Sequence, residues 1–148
     1  MDGHDARGDV VRLLSLVERA PEQPMPGGVS DHDLADLQRR LGCPLPTELV
    51  EWLRICKGEA IGAGGVFGAR PDQDHLDIAT YLTLYPRWRE LSWLPVAGDG
   101  CGNYYVLVGS GPLAGKVAFV DTMSDPDSVE VIAGDSLWTF LQSYLIRG

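Results

Sequence analysis

A chain of 148 residues, 45% of them hydrophobic, has the size of one ordinary domain and can bury a full core without staples. Duplex DNA or RNA needs a basic patch to displace counterions, so a formal net charge of −9 and a pI of about 4.6 argue against a nucleic-acid partner. An acidic surface suits a basic protein partner; the plainer alternative is that the acid only keeps the protein soluble.

The start, Met1-Asp2-Gly3-His4-Asp5, is acidic and lacks the apolar stretch of a secretory signal. No apolar run reaches the roughly 18 residues of a membrane span, so no membrane partner is expected and the cytoplasm is the expected location. Val10, Leu13, Leu14 and Val17 recur at helical spacing and predict a helix over 9–20, with Asp9 as its cap and Pro21 as its stop. The Pro- and Gly-rich stretch 21–28 reads as a linker, which makes residues 1–28 a helical appendage and 29–148 one globular unit.

The next helix start is unusually complete. Ser30 caps, Asp33 sits three residues on, and Val29 and Leu34 occupy the staple positions. Leu34, Leu37 and Leu41 share a face, and Gly42 suits the C-terminal cap. After the rigid turn Cys43-Pro44-Leu45-Pro46, Thr47 is the expected cap of a third helix carrying Leu49, Trp52, Leu53 and Cys56, with Gly58 as its stop. Residues 58–74 are Gly-rich and then acidic, and read as loop. Residues 75–92 are apolar without a clean period, so a strand and a helical turn stay open.

From Trp93 the pattern changes to strands. Trp93-Leu94-Pro95-Val96-Ala97 is a short apolar run, and Asp99-Gly100 marks a hairpin turn. Residues 103–108, 116–120 and 129–133 complete an antiparallel meander, because no helix separates them. Asp135 or Ser136 caps a last helix with a wide stripe of Leu137, Phe140, Leu141, Tyr144 and Leu145. The order predicts an α+β fold, with N-terminal helices and a C-terminal helix packed on a mostly antiparallel β-sheet.

Four ordered segments carry a family resemblance. Leu41-Gly42-Cys43-Pro44-Leu45-Pro46 before a helix with Trp52-Leu53 and an end at Lys57-Gly58 resembles the start of a SUKH domain, with Lys57 where that family usually has Asn. Trp93-Leu94-Pro95-Val96-Ala97, then Asp99-Gly100-Cys101-Gly102-Asn103-Tyr104-Tyr105, then Ile132-Ala133 before an aromatic-rich helix resemble its later segments, collinear from about residue 29 to 146. Fungal members regulate cell-wall assembly and killer-toxin resistance; bacterial members are largely immunity proteins encoded beside secreted toxins. The resemblance implies a non-catalytic protein binder that neutralises a toxin domain. An intracellular scaffold or regulator of endogenous proteins is the alternative.

The chemistry legible in the residues is sparse. Gly62-Ala63-Gly64-Gly65-Val66-Phe67-Gly68 has the glycines of a dinucleotide fingerprint but the wrong spacing and no βαβ unit. The run 110–116 lacks the first Gly and the Ser/Thr of a P-loop. No cofactor is expected. Three cysteines, Cys43, Cys56 and Cys101, form no Cys-x-x-Cys pair, and with three histidines they give neither a disulfide framework nor a zinc site. Asp72, Asp74, His75 and Asp77, and separately Asp121, Asp125 and Asp127, read as solvated acidic loops without EF-hand spacing, so no metal is expected. His75 is the one acid–base candidate, with Cys56 or Cys101 as its only possible nucleophiles. Tryptophans 52, 93 and 138 suit the core, whereas Trp88, in the polar setting Pro86-Arg87-Trp88-Arg89, is the candidate exposed anchor. Tyr104 and Tyr105 alternate along a strand, so one is expected to face outward. The candidate partner-binding surface is therefore Asp72, Asp74, Asp77, Trp88, Asp99, Tyr104 and Tyr105.

Overall fold

The structure, a computed structural model, describes residues 3–17 and 27–147. Its centre is a four-stranded antiparallel meander, β1 (Trp93–Gly98), β2 (Tyr104–Val108), β3 (Val117–Val120) and β4 (Val131–Gly134), in that spatial order. Trp93 pairs with Val108 and Gly98 with Tyr104, and the register slips between Pro95 and Ala97. A proline cannot donate to a ladder, so it sits where the strand is both bulged and at the sheet edge.

The helices are α1 (Gly3–Ser15), α2 (Asp31–Leu41), α3 (Thr47–Leu53), α4 (Ile78–Leu84), α5 (Pro86–Leu91) and α6 (Leu137–Arg147). They flank the sheet: α4 and α5 pack on β1, α6 packs on β4, and α1 lies along α6. Trp52 of α3 meets Trp138 of α6 edge to face, with centroids 6.1 Å apart.

Most predicted elements are present, with shifted boundaries. The first helix begins at Gly3, not at residue 9, because Ala6 extends the Val10 and Leu14 stripe back by one turn. Asp9 is therefore inside the helix, where it accepts from the Gln142 amide at 2.7 Å. Residues 18–26, which contain Pro21 and most of the expected linker, lie outside the described residues. The second helix has the reciprocal bonds of a capping box, Asp33 N–H to Ser30 Oγ at 3.1 Å and Ser30 N–H to Asp33 Oδ2 at 3.2 Å. Gly42 closes it in the left-handed region at φ 74°. Thr47 is the first residue of α3, not its cap: Pro46 holds that position, and no side chain caps there. Glu48 instead reaches across to accept from the Leu137 N–H at 3.0 Å, while Ser136 accepts from Thr139 at 3.1 Å, so α6 has two caps. The open stretch 75–92 is a 3₁₀ turn, Asp74–Leu76, followed by α4 and α5. Each helix is two turns or less, too short for a period to show in the sequence.

The loop ahead of α4 is not solvated throughout. Asp77 is fully buried. Its carboxylate takes a bidentate pair from Arg40 at 3.2 and 2.5 Å, the Arg70 N–H at 3.0 Å and the Thr80 hydroxyl at 2.9 Å. The hydrogen bonds that the Arg40 guanidinium donates to Asp77 raise its pKa, against the lowering effect of its own burial. One carboxylate thus joins α2, the loop and α4, and the expectation that Asp77 belongs to an exposed acidic surface is corrected. A buried carboxylate persists because every lone pair has a donor.

The Gly-rich run also has a packing role. Phe67 N–H bonds to Val96 O at 2.8 Å and Gly98 N–H to Gly65 O at 3.1 Å, so the run covers the outer edge of β1. A Cβ at Gly64 would sit 2.5 Å from the Gly100 nitrogen, which only glycine avoids. The Tyr144 hydroxyl accepts from Gly64 N–H at 3.0 Å and donates to Gly98 O at 2.8 Å, tying α6 to this edge.

Removing Arg40 leaves the Asp77 charge buried without its main partner. Arg40→Ala is expected to cost about 3–5 kcal/mol. Asp77→Asn, which removes the buried charge, keeps one acceptor oxygen for the Arg70 N–H and turns an amide N–H toward the Thr80 hydroxyl, is expected to cost less, about 1–3 kcal/mol. Urea unfolding of the two variants checks the order.

Candidate partner-binding surface

Two aromatic layers, one on each face of the sheet, decide where side chains are available. On the α4–α5 face, Phe67 stacks on Tyr81 at 4.5 Å and Tyr85 on Trp88 at 4.3 Å. Tyr104 lies among Tyr81, Tyr85 and Trp88, with centroids 5.0–5.8 Å away. Trp88 is fully buried and its indole N–H donates to Pro126 O at 2.5 Å. The expected exposed anchor is therefore a core residue. The Arg-rich setting misleads because α5 is short: Arg87 and Arg89 point outward while Trp88 turns inward. Burial, with Tyr85 and Tyr81 beside it, pushes the Tyr104 hydroxyl up to about 12.

On the other face, Tyr105 meets Phe119 at 5.2 Å, Phe140 at 4.8 Å and Tyr144 at 5.9 Å. Tyr104 and Tyr105 do alternate, but neither is freely exposed, because helices cover both faces and both rings are half-buried. Of the two, Tyr105 is the one beside an open cleft. It lines a cleft of about 340 Å³ between the sheet and α6, with Phe119, Val131, Ile132, Phe140 and Tyr144.

Asp99 is occupied by its own turn. Its Oδ1 accepts from Cys101 N–H at 2.7 Å and Asn103 N–H at 3.1 Å, and Oδ2 accepts from the Asn103 amide at 3.0 Å. Burial disfavours its charge, but these hydrogen bonds outweigh burial and hold its pKa below the usual value. Asn103 in turn accepts from Thr122 N–H at 3.1 Å, so the hairpin is tied to the loop after β3. Asp72 and Asp74 are exposed, and Arg70 approaches Asp72 at 3.8 Å. They precede α4 on the β1 side of the sheet, away from the cleft at β4, which three strand spacings, about 14 Å, separate from β1. The seven expected residues thus do not converge. His75 is exposed on its 3₁₀ turn, Cys101 is exposed in the hairpin, and Cys56 is buried. Among the described residues no group of three or more His, Cys, Asp or Glu could hold a metal, and no helix is long and apolar enough to cross a membrane.

Of the residues that line the cleft, Tyr105 is among the expected surface residues, and the others are not. Val131 is 55% and Ile132 36% exposed, unusual for neighbours in a strand. The segment that holds them is acidic: residues 90–146 contain seven Asp or Glu and one basic side chain, Lys116. Lys116 pairs with Asp135 at 3.2 Å, and no described ion pair uses Asp125, Asp127 or Glu130.

Helices on both faces of a four-stranded antiparallel meander define an α+β protein. The chain belongs to the SMI1 / KNR4 family (SUKH-1), whose model matches residues 28–143, from just before α2 into α6. The family is generally non-catalytic and includes immunity proteins. A search of curated proteins finds no match to this chain.

Trp88→Ala is expected to lower stability by about 3–5 kcal/mol, the cost of a large core cavity. Thermal or urea unfolding checks it. Asp99 gives a pH signature. Its folded pKa lies below its unfolded value, so its contribution is full above about pH 4 and fades as the pH falls through the lower folded value. Stability of the native protein and of Asp99→Asn, followed by denaturant unfolding from neutral pH downward, is expected to converge under acid.

Proposed function

We propose that this protein is a non-catalytic binding module that neutralises a basic toxin domain by covering its working surface. The observation that carries the reading is a coincidence of charge and shape. The open apolar cleft at β4 lies in the part of the chain with seven acids and one base. Such a surface attracts a basic partner at long range and offers apolar area once it arrives. Membership of a family that includes immunity proteins supports the same reading.

The mechanism is occlusion. Unpaired acids around β4 raise the encounter rate, and the aromatic and aliphatic wall slows release. Asp72 and Asp74 add to the field without touching the cleft.

A pull-down with the tagged protein, against lysate of its own cell and the neighbouring gene products, tests the proposal. One stoichiometric basic partner, toxic alone and harmless when co-expressed, is expected. Several abundant cellular partners would support instead the scaffold or regulator of endogenous proteins. With the partner in hand, changing Asp125, Asp127 and Glu130 together to Lys is expected to slow association by roughly tenfold or more at low salt, with the gap closing as salt rises. Asp72→Lys with Asp74→Lys is expected to slow it less. Stopped-flow association rates separate the two.

A further inference from the structure

The two edges of the sheet are treated differently. The outer edge of β1 is covered by the Gly-rich run through Phe67 and Gly65. β4 pairs with β3 on one side, and no described strand or bridge pairs with its other side. Edge strands are normally blunted by lysine, proline or a covering segment. β4 reads Val131-Ile132-Ala133-Gly134 and carries none of these within the strand. Its first two residues are the exposed ones, and the cleft opens directly beside it.

Charge selects the occupant. A second copy, added edge to edge, would bring Asp127, Glu130 and Asp135 of one chain against the same residues of the other, between molecules that each carry −9. An extended segment with lysine or arginine meets the opposite situation, since Asp125, Asp127 and Glu130 have no described ion pair.

We propose that the outer edge of β4 takes an extended segment of the partner as a fifth strand, with side chains alternating between aliphatic and basic. The proposal rests on the binding reading above and names the surface and the partner chemistry. Main-chain hydrogen bonds to the free edge hold the segment, and alternate side chains select it. Because strand residues alternate in direction, its aliphatic side chains enter the cleft over Tyr105, Phe119 and Tyr144 on the Val131 side. Its basic side chains point to the other side and meet the acids that flank the strand.

The test uses the isotope-labelled full chain and three synthetic peptides of roughly six residues, the usual strand length. The first alternates lysine and valine. The second alternates glutamate and valine. The third is the lysine–valine peptide with alternate backbone amides methylated. The lysine–valine peptide is expected to shift the amide signals of residues 130–134 and slow their hydrogen exchange, and the other two are not. Asp127→Lys with Glu130→Lys, both exposed, is expected to weaken that binding by roughly tenfold, the worth of two surface charge pairs. Equal binding of the methylated peptide would overturn the strand pairing and leave only charge attraction. Signals that move at Asp72 and Asp74 instead, or a dimer through β4 seen by light scattering, would overturn it as well. Exchange in the complex with the captured partner separates the two proposals. A partner that leaves residues 130–134 exchanging as in the free protein removes the edge proposal and keeps the binding reading. Peptide pairing at β4 with no protein partner captured does the reverse.

Discussion

Asp77 fixes how the N-terminal half of the chain meets the sheet. Its carboxylate is fully buried and gathers Arg40 from α2, the Arg70 N–H from the preceding loop and Thr80 from α4. An unpaired charge at that depth would be expensive, so the three segments are placed together or none is placed. Once α4 is set, Tyr81 stacks on Phe67, Tyr85 stacks on Trp88, and Tyr104 fits among them. The α4–α5 face of the sheet is closed by this layer. It follows that the Trp88 indole holds the fold together, although the segment around it looks polar in sequence.

The opposite face is organised by Tyr144. Its ring stands against Tyr105 and Phe140, and its hydroxyl holds Gly64 and Gly98. Burial raises its pKa, and the hydrogen bond from Gly64 opposes that rise, as expected for a phenol kept neutral inside a packed corner. The same residue therefore seals the β1 edge and forms one wall of the cleft at the other end of α6's footprint. Closing one edge and leaving the other open is a consequence of where the Gly-rich run lies in the chain. It precedes β1 and pairs with that strand, whereas α6, the element after β4, packs on the sheet face and forms one wall of the cleft.

Much of this was legible from residues alone. Ser30 with Asp33 and Gly42 announced α2 because capping is local chemistry. The meander was legible because strand runs and Asp99-Gly100 need no distant partner. The errors have a common cause. Asp77 and Trp88 were read as exposed from the polarity of their neighbours, yet their burial is decided by Arg40, 37 positions away, and by Tyr104 and Pro126. The site was harder still, because a cleft is a relation between α6 and two strands. Two signals were available nevertheless: the last strand of a meander is an edge by topology, and the scarcity of basic residues after Arg89 is visible by counting.

On the proposed reading, that scarcity gives the acidity a more specific role than solubility. An apolar edge strand with open backbone groups is a template for pairing with any chain, including its own. Placing Asp125, Asp127 and Glu130 just before β4 makes approach by an identical edge repulsive while leaving the hydrogen-bonding groups unchanged. The same charges make approach by a basic segment attractive. Discrimination between partners is a difference of two free energies, and these residues act on both at once with opposite signs. A neutral rim would keep the edge sticky, and a basic one would exclude the partner proposed above. On the proposed reading, an acidic rim around an apolar strand disfavours pairing with a second copy and favours pairing with a basic segment.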